Sequence, residues 1–566
     1  MNARSATMRQ SLASLGLALV FCASVAHADE PLPAAEPAAE PVAEPAPAPT
    51  AEPAAATLPV PASSPQPAPA PERPSVFDRV LIQLNWGDDN LLVGAGETRE
   101  NSPDPNFSRC SRTQIDGVPH RDCSAGRTRL GLYKSVALRN GLNVSGALVV
   151  GLAVVTDPES SQAGKYDLYD QGSYLRIAKG FGPSLRREFA IEFYPVDARP
   201  LTLGFHPDLE WGTKDEFPRN FRRGLAPGLK VSVDLDGFYV FAGAKSALIK
   251  TPLEVELEND GGNRILFSTR TFYGLLGGFG YGRAEGFAAE VNGGFFHKGT
   301  LSKEGVIGKP ILSGGASLRL AWREGLPVGL RIASSLYQRV AAGGSQIIEK
   351  PSYEGRVAWA VTGEGTLRVQ NLADTNRPNS TALEWSWATH LGFQLRIADT
   401  RIHVEQRNRS LTHIVADVPG LFPYSTLPDN SEVAPEVQAL VSVDQRLGDF
   451  TLALTGGVRL PATYRGIAPD GAGTDAASAG VRTTVISDAD AGGWYILPEG
   501  DDPVPVWWLE LGFKWHPAKE FALLTTLLYG RDQNRTQVER DSAGHALRVY
   551  TEPNVLSLNV LGQFLF

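Results

Sequence analysis

Along most of this chain, apolar and polar residues alternate one by one. In ALEWSWATHLGFQLRI, Leu383, Trp385, Trp387, Leu391, Phe393, Leu395 and Ile397 share one parity. Glu384, Ser386, His390, Gln394 and Arg396 share the other. In FTLALTGGVRL, Phe450, Leu452, Leu454, Val458 and Leu460 oppose Thr451, Thr455 and Arg459. In VWWLELGFKW, Trp507, Leu509, Leu511, Phe513 and Trp515 oppose Trp508, Glu510 and Lys514. The pattern runs to the end, where Leu556, Leu558, Val560, Gly562, Phe564 and Phe566 face away from Ser557, Asn559 and Gln563. A period of two is the signature of a strand with unlike faces. Two architectures carry such strands: a soluble sandwich, and a barrel with lipid outside and a polar lumen inside.

The connections favour the barrel. Short turn signals appear at RNGLN (139–143), YPVDARP (194–200), DLDG (234–237), GRAEG (282–286), REGLP (323–327), TGEG (362–365), RIADT (396–400), RLGD (446–449) and HPAKE (516–520). Long polar stretches lie between them, at 94–127, 206–228, 249–267, 410–434, 461–503 and 531–552. Short-long alternation is the plan of an outer-membrane barrel, with tight periplasmic turns and long external loops. The predicted fold of residues 75–566 is all-β: a transmembrane antiparallel up-and-down β-barrel of about 18–20 strands. Within 156–187, GSYLRIAKGF reads as a strand or as part of a loop. Trp86, Trp322, Trp507, Trp508, Trp515 and Tyr529 fall near strand ends, as an interfacial girdle requires.

The last strand, VLSLNVLGQFLF, resembles the terminal strand signal of Gram-negative outer-membrane β-barrels. The resemblance rests on Asn559, Phe564 and Phe566, with Gly562 nearby, and departs at Leu561, where the family prefers Gly. It implies that Phe564 and Phe566 form an assembly signal read by the barrel-insertion machinery, in a porin-like protein of the outer membrane. Segment LTLGFHPDLEWG likewise resembles porin hairpins whose rising strand leads to a pore-constricting loop.

The N-terminus sets the compartment. Arg4 and Arg9 precede the apolar run SLGLALVFCASVA and the small-x-small site Ala26-His27-Ala28, which predicts a signal peptide over 1–28. Its removal takes two arginines and no acid, so the formal charge moves from −9 to −11. That balance argues against a nucleic-acid partner. Residues 29–74 carry fifteen prolines among Ala and Glu. Such a segment cannot build a core and is expected to be a disordered periplasmic linker, ~140 Å long if fully extended as polyproline. It reads as a spacer or as a tether to a cell-wall or other periplasmic partner. Cys110 and Cys123 stand close together in a polar stretch of an exported chain, which suggests a loop disulfide.

With lipid taking the apolar parity, the opposite parity lines the lumen. That face carries Arg319, Arg323, Arg331, Arg339, Arg356, Arg368, Arg396, Arg401, His403, Glu405, Arg407 and Arg409, followed by Arg446 and Arg459. The acids there are fewer (Glu384, Glu405, Asp444, Glu510), so the bore is expected to be basic. Such arginines either favour anion passage or pair with inward acids and stiffen the wall. Segment 206–228 is the candidate constriction loop. Trp211, Phe217 and Phe221 would pack on the wall, and Arg219, Arg222 and Arg223 would project; the other reading is an ordinary external loop.

Catalytic motifs such as GxSxG, HExxH or a phosphate-cradling loop are absent from the sequence, so neither an enzyme nor a cofactor is expected. His403 and Glu405 share a strand face, but a metal site needs a third and a fourth ligand, and none is legible. Two functions remain: a porin-like channel passing anionic solutes or an anionic polymer, and a plugged barrel anchoring an envelope or surface assembly.

Overall fold

The alternating stretches pair with their neighbours in register, so that one parity faces outward along the whole sheet. The computed structural model describes residues 76–88, 91–92, 128–154, 166–170, 172–182, 187–198, 201–206, 209–212, 226–257, 263–282, 286–303, 305–325, 357–415, 424–467, 481–488, 493–540, 542 and 546–566. The strands are β1 (Arg79–Asp88), β2 (Thr128–Ala137), β3 (Leu142–Val154), β4 (Tyr166–Asp170), β5 (Tyr174–Phe181), β6 (Arg187–Tyr194), β7 (Gly228–Leu235), β8 (Phe238–Leu257) and β9 (Asn263–Gly282). They continue with β10 (Gly286–Thr300), β11 (Pro310–Glu324), β12 (Val357–Ala373), β13 (Thr381–Ile397), β14 (Thr400–Arg409), β15 (Glu432–Ala434), β16 (Glu436–Leu447) and β17 (Phe450–Leu460). The last are β18 (Thr463–Ile467), β19 (Val481–Asp488), β20 (Gly493–Ile496), β21 (Val506–Ala518), β22 (Phe521–Arg531), β23 (Thr536–Arg540), β24 (Ala546–Tyr550) and β25 (Asn554–Leu565).

Consecutive wall strands pair antiparallel, and β25 returns to β1. Of the nineteen strands in this sheet, β4 pairs only with β3, which leaves eighteen in a closed wall. Closure satisfies the backbone groups of both edges, which lipid could not. Strands β15, β18, β19 and β20 form a separate small sheet, and β23 pairs with β24, all within long connections. Between β7 and β8 the turn is Asp236-Gly237, both with positive φ (41° and 99°), the tight-hairpin solution that glycine makes inexpensive.

The outer parity is apolar and exposed: Leu318, Leu320 and Trp322 on β11, Leu383 and Trp385 on β13, Leu509 and Leu511 on β21. At the short-turn rim, Phe450, Trp515, Phe521 and Phe564 form a continuous aromatic chain with centroid separations of 6.1, 6.0 and 5.1 Å. At the far rim Trp507 meets Tyr529 at 5.4 Å. Trp507 and Trp515 are separated by roughly 27 Å of strand, which tilt shortens to about the height of a lipid-facing band. The inner parity of the same strands is polar and buried, as with Ser317, Arg323, Ser386, Arg396, Glu510 and Lys514.

Three expectations change. The TGEG signal is no turn: residues 362–365 lie inside β12, paired to β11 on one side and β13 on the other. A ladder completed on both edges overrides local turn composition. β11 pairs directly with β12 from Ser313↔Gln370 to Glu324↔Trp359, and VGLRIASSLYQR lies outside the described residues. Within the stretch 249–267, expected as a loop, residues 249–257 and 263–267 instead extend the β8–β9 pairing. Finally, YPVDARP and LTLGF are not a turn and a rising strand; both belong to the β6–β7 connection. GSYLRIAKGF, left open between strand and loop, contributes β5.

Candidate functional site: an inward segment on a polar row

The described part of the β6–β7 connection, 197–198, 201–206 and 209–212, folds into the barrel. Leu201, Leu203 and Trp211 are buried against Tyr239, Phe241, Phe272, Leu276 and Phe296 of β8, β9 and β10. Leu203 and Trp211 exchange backbone hydrogen bonds of 2.9 Å in both directions, so the segment doubles back on itself. Gly204 makes the bend at φ 83°, and a Cβ there would stand 2.9 Å from the Leu209 carbonyl oxygen.

The wall meets this segment with a row of side chains set by register. Across adjacent strands the partners run Glu290↔Arg319↔Glu364↔His390↔Arg407↔Gln438↔Arg459. All seven have the inner parity. Glu364, buried on β12, accepts the Phe205 N–H on Oε1 (2.9 Å) and the His206 N–H on Oε2 (2.8 Å). Asn292 Oδ1 accepts the Gly204 N–H at 3.1 Å. Trp211 Nε1–H donates to Ser317 Oγ at 3.0 Å, and Lys245 Nζ donates to the Gly212 carbonyl at 2.7 Å. Guanidinium groups cover two aromatic rings of the segment: Arg319 lies 5.5 Å from the Phe205 centroid and Arg368 lies 5.7 Å from that of Trp211. The segment is thus held by backbone donors on fixed acceptors and by cation–π contacts, both stronger where water is thinned.

Next to the row, the arginines that the sequence places on the inner face meet acids. Glu436 receives Arg407 at 3.0 Å, Arg409 at 3.0 Å and Arg459 at 4.0 Å. Three guanidiniums thus converge on one carboxylate. Arg401 reaches Asp444 at 3.6 Å, and Arg396 is Arg401's cross-strand neighbour. Arg176 pairs with Glu188 and with Glu192, which also meets Lys230 at 3.4 Å. Pairing between wall charges, one of the two alternatives left by the sequence, is therefore extensive among the described residues.

A cluster lies where the segment crosses β13 and β14. His206 Nε2 stands 3.1 Å from Glu405 Oε1. His390 Nε2 and His403 Nε2 stand 3.7 and 3.3 Å from Glu405 Oε2. The rings of His206 and His390 stack, with centroids 4.2 Å apart and planes 25° apart. All four side chains are buried.

Of the residues singled out from the sequence, Arg319, Arg323, Arg396, Arg401, His403, Glu405, Arg407 and Arg409 lie on the inner face. Phe564 and Phe566 lie at the β25 end. Trp211 packs on the inner wall, its ring 5.9 Å from that of Phe296. Arg219, Arg222, Arg223, Phe217, Phe221, Arg331, Arg339, Arg356, Cys110 and Cys123 fall outside the described residues, as do 1–28 and 29–74. Glu364, Asn292 and His206 were missed. Glu364 was hidden in an apparent turn, and His206 had no local pattern to mark it.

These features define a porin-like β-barrel of the outer-membrane type, a class that rests on the closed strand pairing and the two faces. No family model matches the sequence, and no curated protein matches it. Among solved structures the chain is similar to OpdK of Pseudomonas aeruginosa, at 9% identity and TM-score 0.38, over 86% of this chain and 97% of that one. It is similar to OprD of the same organism, at 9% identity and TM-score 0.37, over 86% and 93%. It is also similar to OmpT of Vibrio cholerae, at 10% identity and TM-score 0.27, over 87% and 97%.

Proposed function

We propose that this barrel is a narrow outer-membrane channel for small anionic solutes, with the inward segment 197–212 setting its aperture. The observation that carries the reading is the anchored segment. A plain wall needs no polypeptide folded across its lumen, whereas a selective path needs a fixed constriction. The anionic preference is supported by the convergence of Arg407, Arg409 and Arg459 near Glu436 on the inner face. Within low-dielectric walls a cluster of arginines attracts anions more strongly than the net acidic charge of the chain repels them. In this reading the short turns face the periplasm, and residues 29–74 form a periplasmic spacer ahead of β1.

The test is single-channel recording of purified protein in planar bilayers under a salt gradient. The expected result is a small, sustained, anion-selective current. Arg407→Gln combined with Arg409→Gln should move the reversal potential toward cations, with folding checked by heat-modifiable gel mobility. A silent barrel would favour the plugged, structural reading. A folded double variant that keeps its anion preference would remove these arginines from the path.

A further inference from the structure

We propose that His206, His390 and Glu405, completed by His403, form a binding site for a first-row divalent transition metal, with zinc as the type case, that pins the inward segment to the barrel wall. The sequence offered only His403 and Glu405, two residues apart on β14. The fold adds His390 from β13, where register sets Gly392 opposite Glu405, and His206 from the inward segment. The donor atoms of His206, His390 and Glu405 all lie within 4.8 Å of one another. Two ligands of a tetrahedral zinc, each bound at 2.0–2.1 Å, stand about 3.3 Å apart. Small side-chain rotations would therefore bring these donors around one ion.

Three further observations point to a cation. His390 Nε2 is buried, aims at the cluster and has no hydrogen-bond partner, its distance to Glu405 Oε2 being 3.7 Å. A buried ring nitrogen left without a hydrogen bond is costly, and in the tautomer that leaves Nε2 unprotonated its lone pair is open to a metal. The stacked rings of His206 and His390 bring two imidazoles face to face at 4.2 Å, an arrangement that disfavours two imidazolium ions and suits two neutral ligands. The backbone N–H of His206 is fixed on Glu364, and its ring is oriented by the stack on His390 and by Glu405, so the donor stands in place before any ion arrives. Three imidazoles and one carboxylate suit zinc, cobalt, nickel or copper, and suit calcium or magnesium poorly. An ion here would join the segment, β13 and β14 through side-chain bonds, and would close the constriction at that point.

The experiment uses the tag-free mature protein in detergent, titrated with Co²⁺ and back-titrated with Zn²⁺. It reads absorbance alone and so does not depend on the channel reading. The expected result is one Co²⁺ per chain with intense tetrahedral d–d bands, bleached by Zn²⁺. His206→Ala and His390→Ala should each weaken binding at least ~10-fold, as loss of one ligand in a four-ligand set requires. His206 lies on the segment rather than on a strand, so His206→Ala leaves the wall intact, and heat-modifiable mobility confirms it. Absence of saturable binding to the wild type overturns the site. So does binding that His206→Ala leaves unchanged, which would mark an adventitious surface metal only.

Discussion

Val80 and Phe566 exchange two backbone hydrogen bonds: Val80 N–H donates to the Phe566 carbonyl at 2.8 Å and Phe566 N–H donates to the Val80 carbonyl at 2.9 Å. This pair finishes the seam between β1 and β25. Deleting Phe566 leaves both Val80 groups open at the rim. Each lost hydrogen bond is worth ~1 kcal/mol in water and several where lipid replaces water. The expected outcome is less folded, heat-modifiable protein in the outer membrane, read by gel mobility of membrane fractions. Full assembly of the deletion variant would contradict it.

Glu364→Gln turns one carboxylate oxygen into an NH₂ group facing a backbone donor. One of the Phe205 and His206 N–H groups then loses its acceptor, at ~1–3 kcal/mol. Amide exchange at the residue that loses its acceptor should accelerate by one to two orders of magnitude (~1.4 kcal/mol per factor of ten), while wall strands keep their protection. Hydrogen exchange with mass spectrometry reads this directly.

Gly204→Ala places a Cβ in the left-handed region, 2.9 Å from the Leu209 carbonyl oxygen. The cost is ~1–2 kcal/mol, plus the shift needed to relieve the contact. Single-channel conductance should rise or become noisy as the bend loosens. A quiet, unchanged current would show that this bend does not set the aperture.

Glu436→Gln removes the carboxylate that Arg407, Arg409 and Arg459 share. Breaking a buried ion cluster from one side costs ~3–5 kcal/mol, so the unfolding midpoint in urea should fall. With that negative charge gone, the reversal potential should move further toward anions.

Tyr550, on the β23–β24 hairpin outside the wall, has its hydroxyl pushed up to about 12 by partial burial and by its 2.7 Å hydrogen bond to Asp501 Oδ2. A raised acid stabilises its folded environment fully below its ordinary value near 10, and that contribution is lost as pH climbs through 12. Absorbance titration of tyrosinate should contain one late component that Tyr550→Phe deletes. A titration curve identical in both proteins would refute the assignment.

How much of this was legible follows from what is local. Parity is local: a residue and its second neighbour share a face whatever the rest of the chain does. Hence Leu383 and Trp385 could be assigned outward and Ser386, His390 and Arg396 inward from the letters alone, and the structure keeps those faces. The terminal run could be read as a two-faced strand for the same reason. Turn chemistry is local too, but it is weak, and at TGEG two flanking strands outbid it by pairing every residue of 362–365.

What only the tertiary structure decided depends on closure. The wall numbers eighteen because β11 reaches β12 directly and β25 reaches β1, pairings that join residues far apart in sequence. The β6–β7 connection turns inward because Leu201, Leu203 and Trp211 find an apolar lining contributed by β8, β9 and β10, and because Glu364 and Asn292 wait there with acceptors. His206 and Glu405 are almost two hundred residues apart in the chain, yet stand 3.1 Å apart once the wall is closed. The sequence determined which side chains face the lumen; the register of a closed sheet decided which of them meet, since cross-barrel distance is set by the summed pairing of every strand between them.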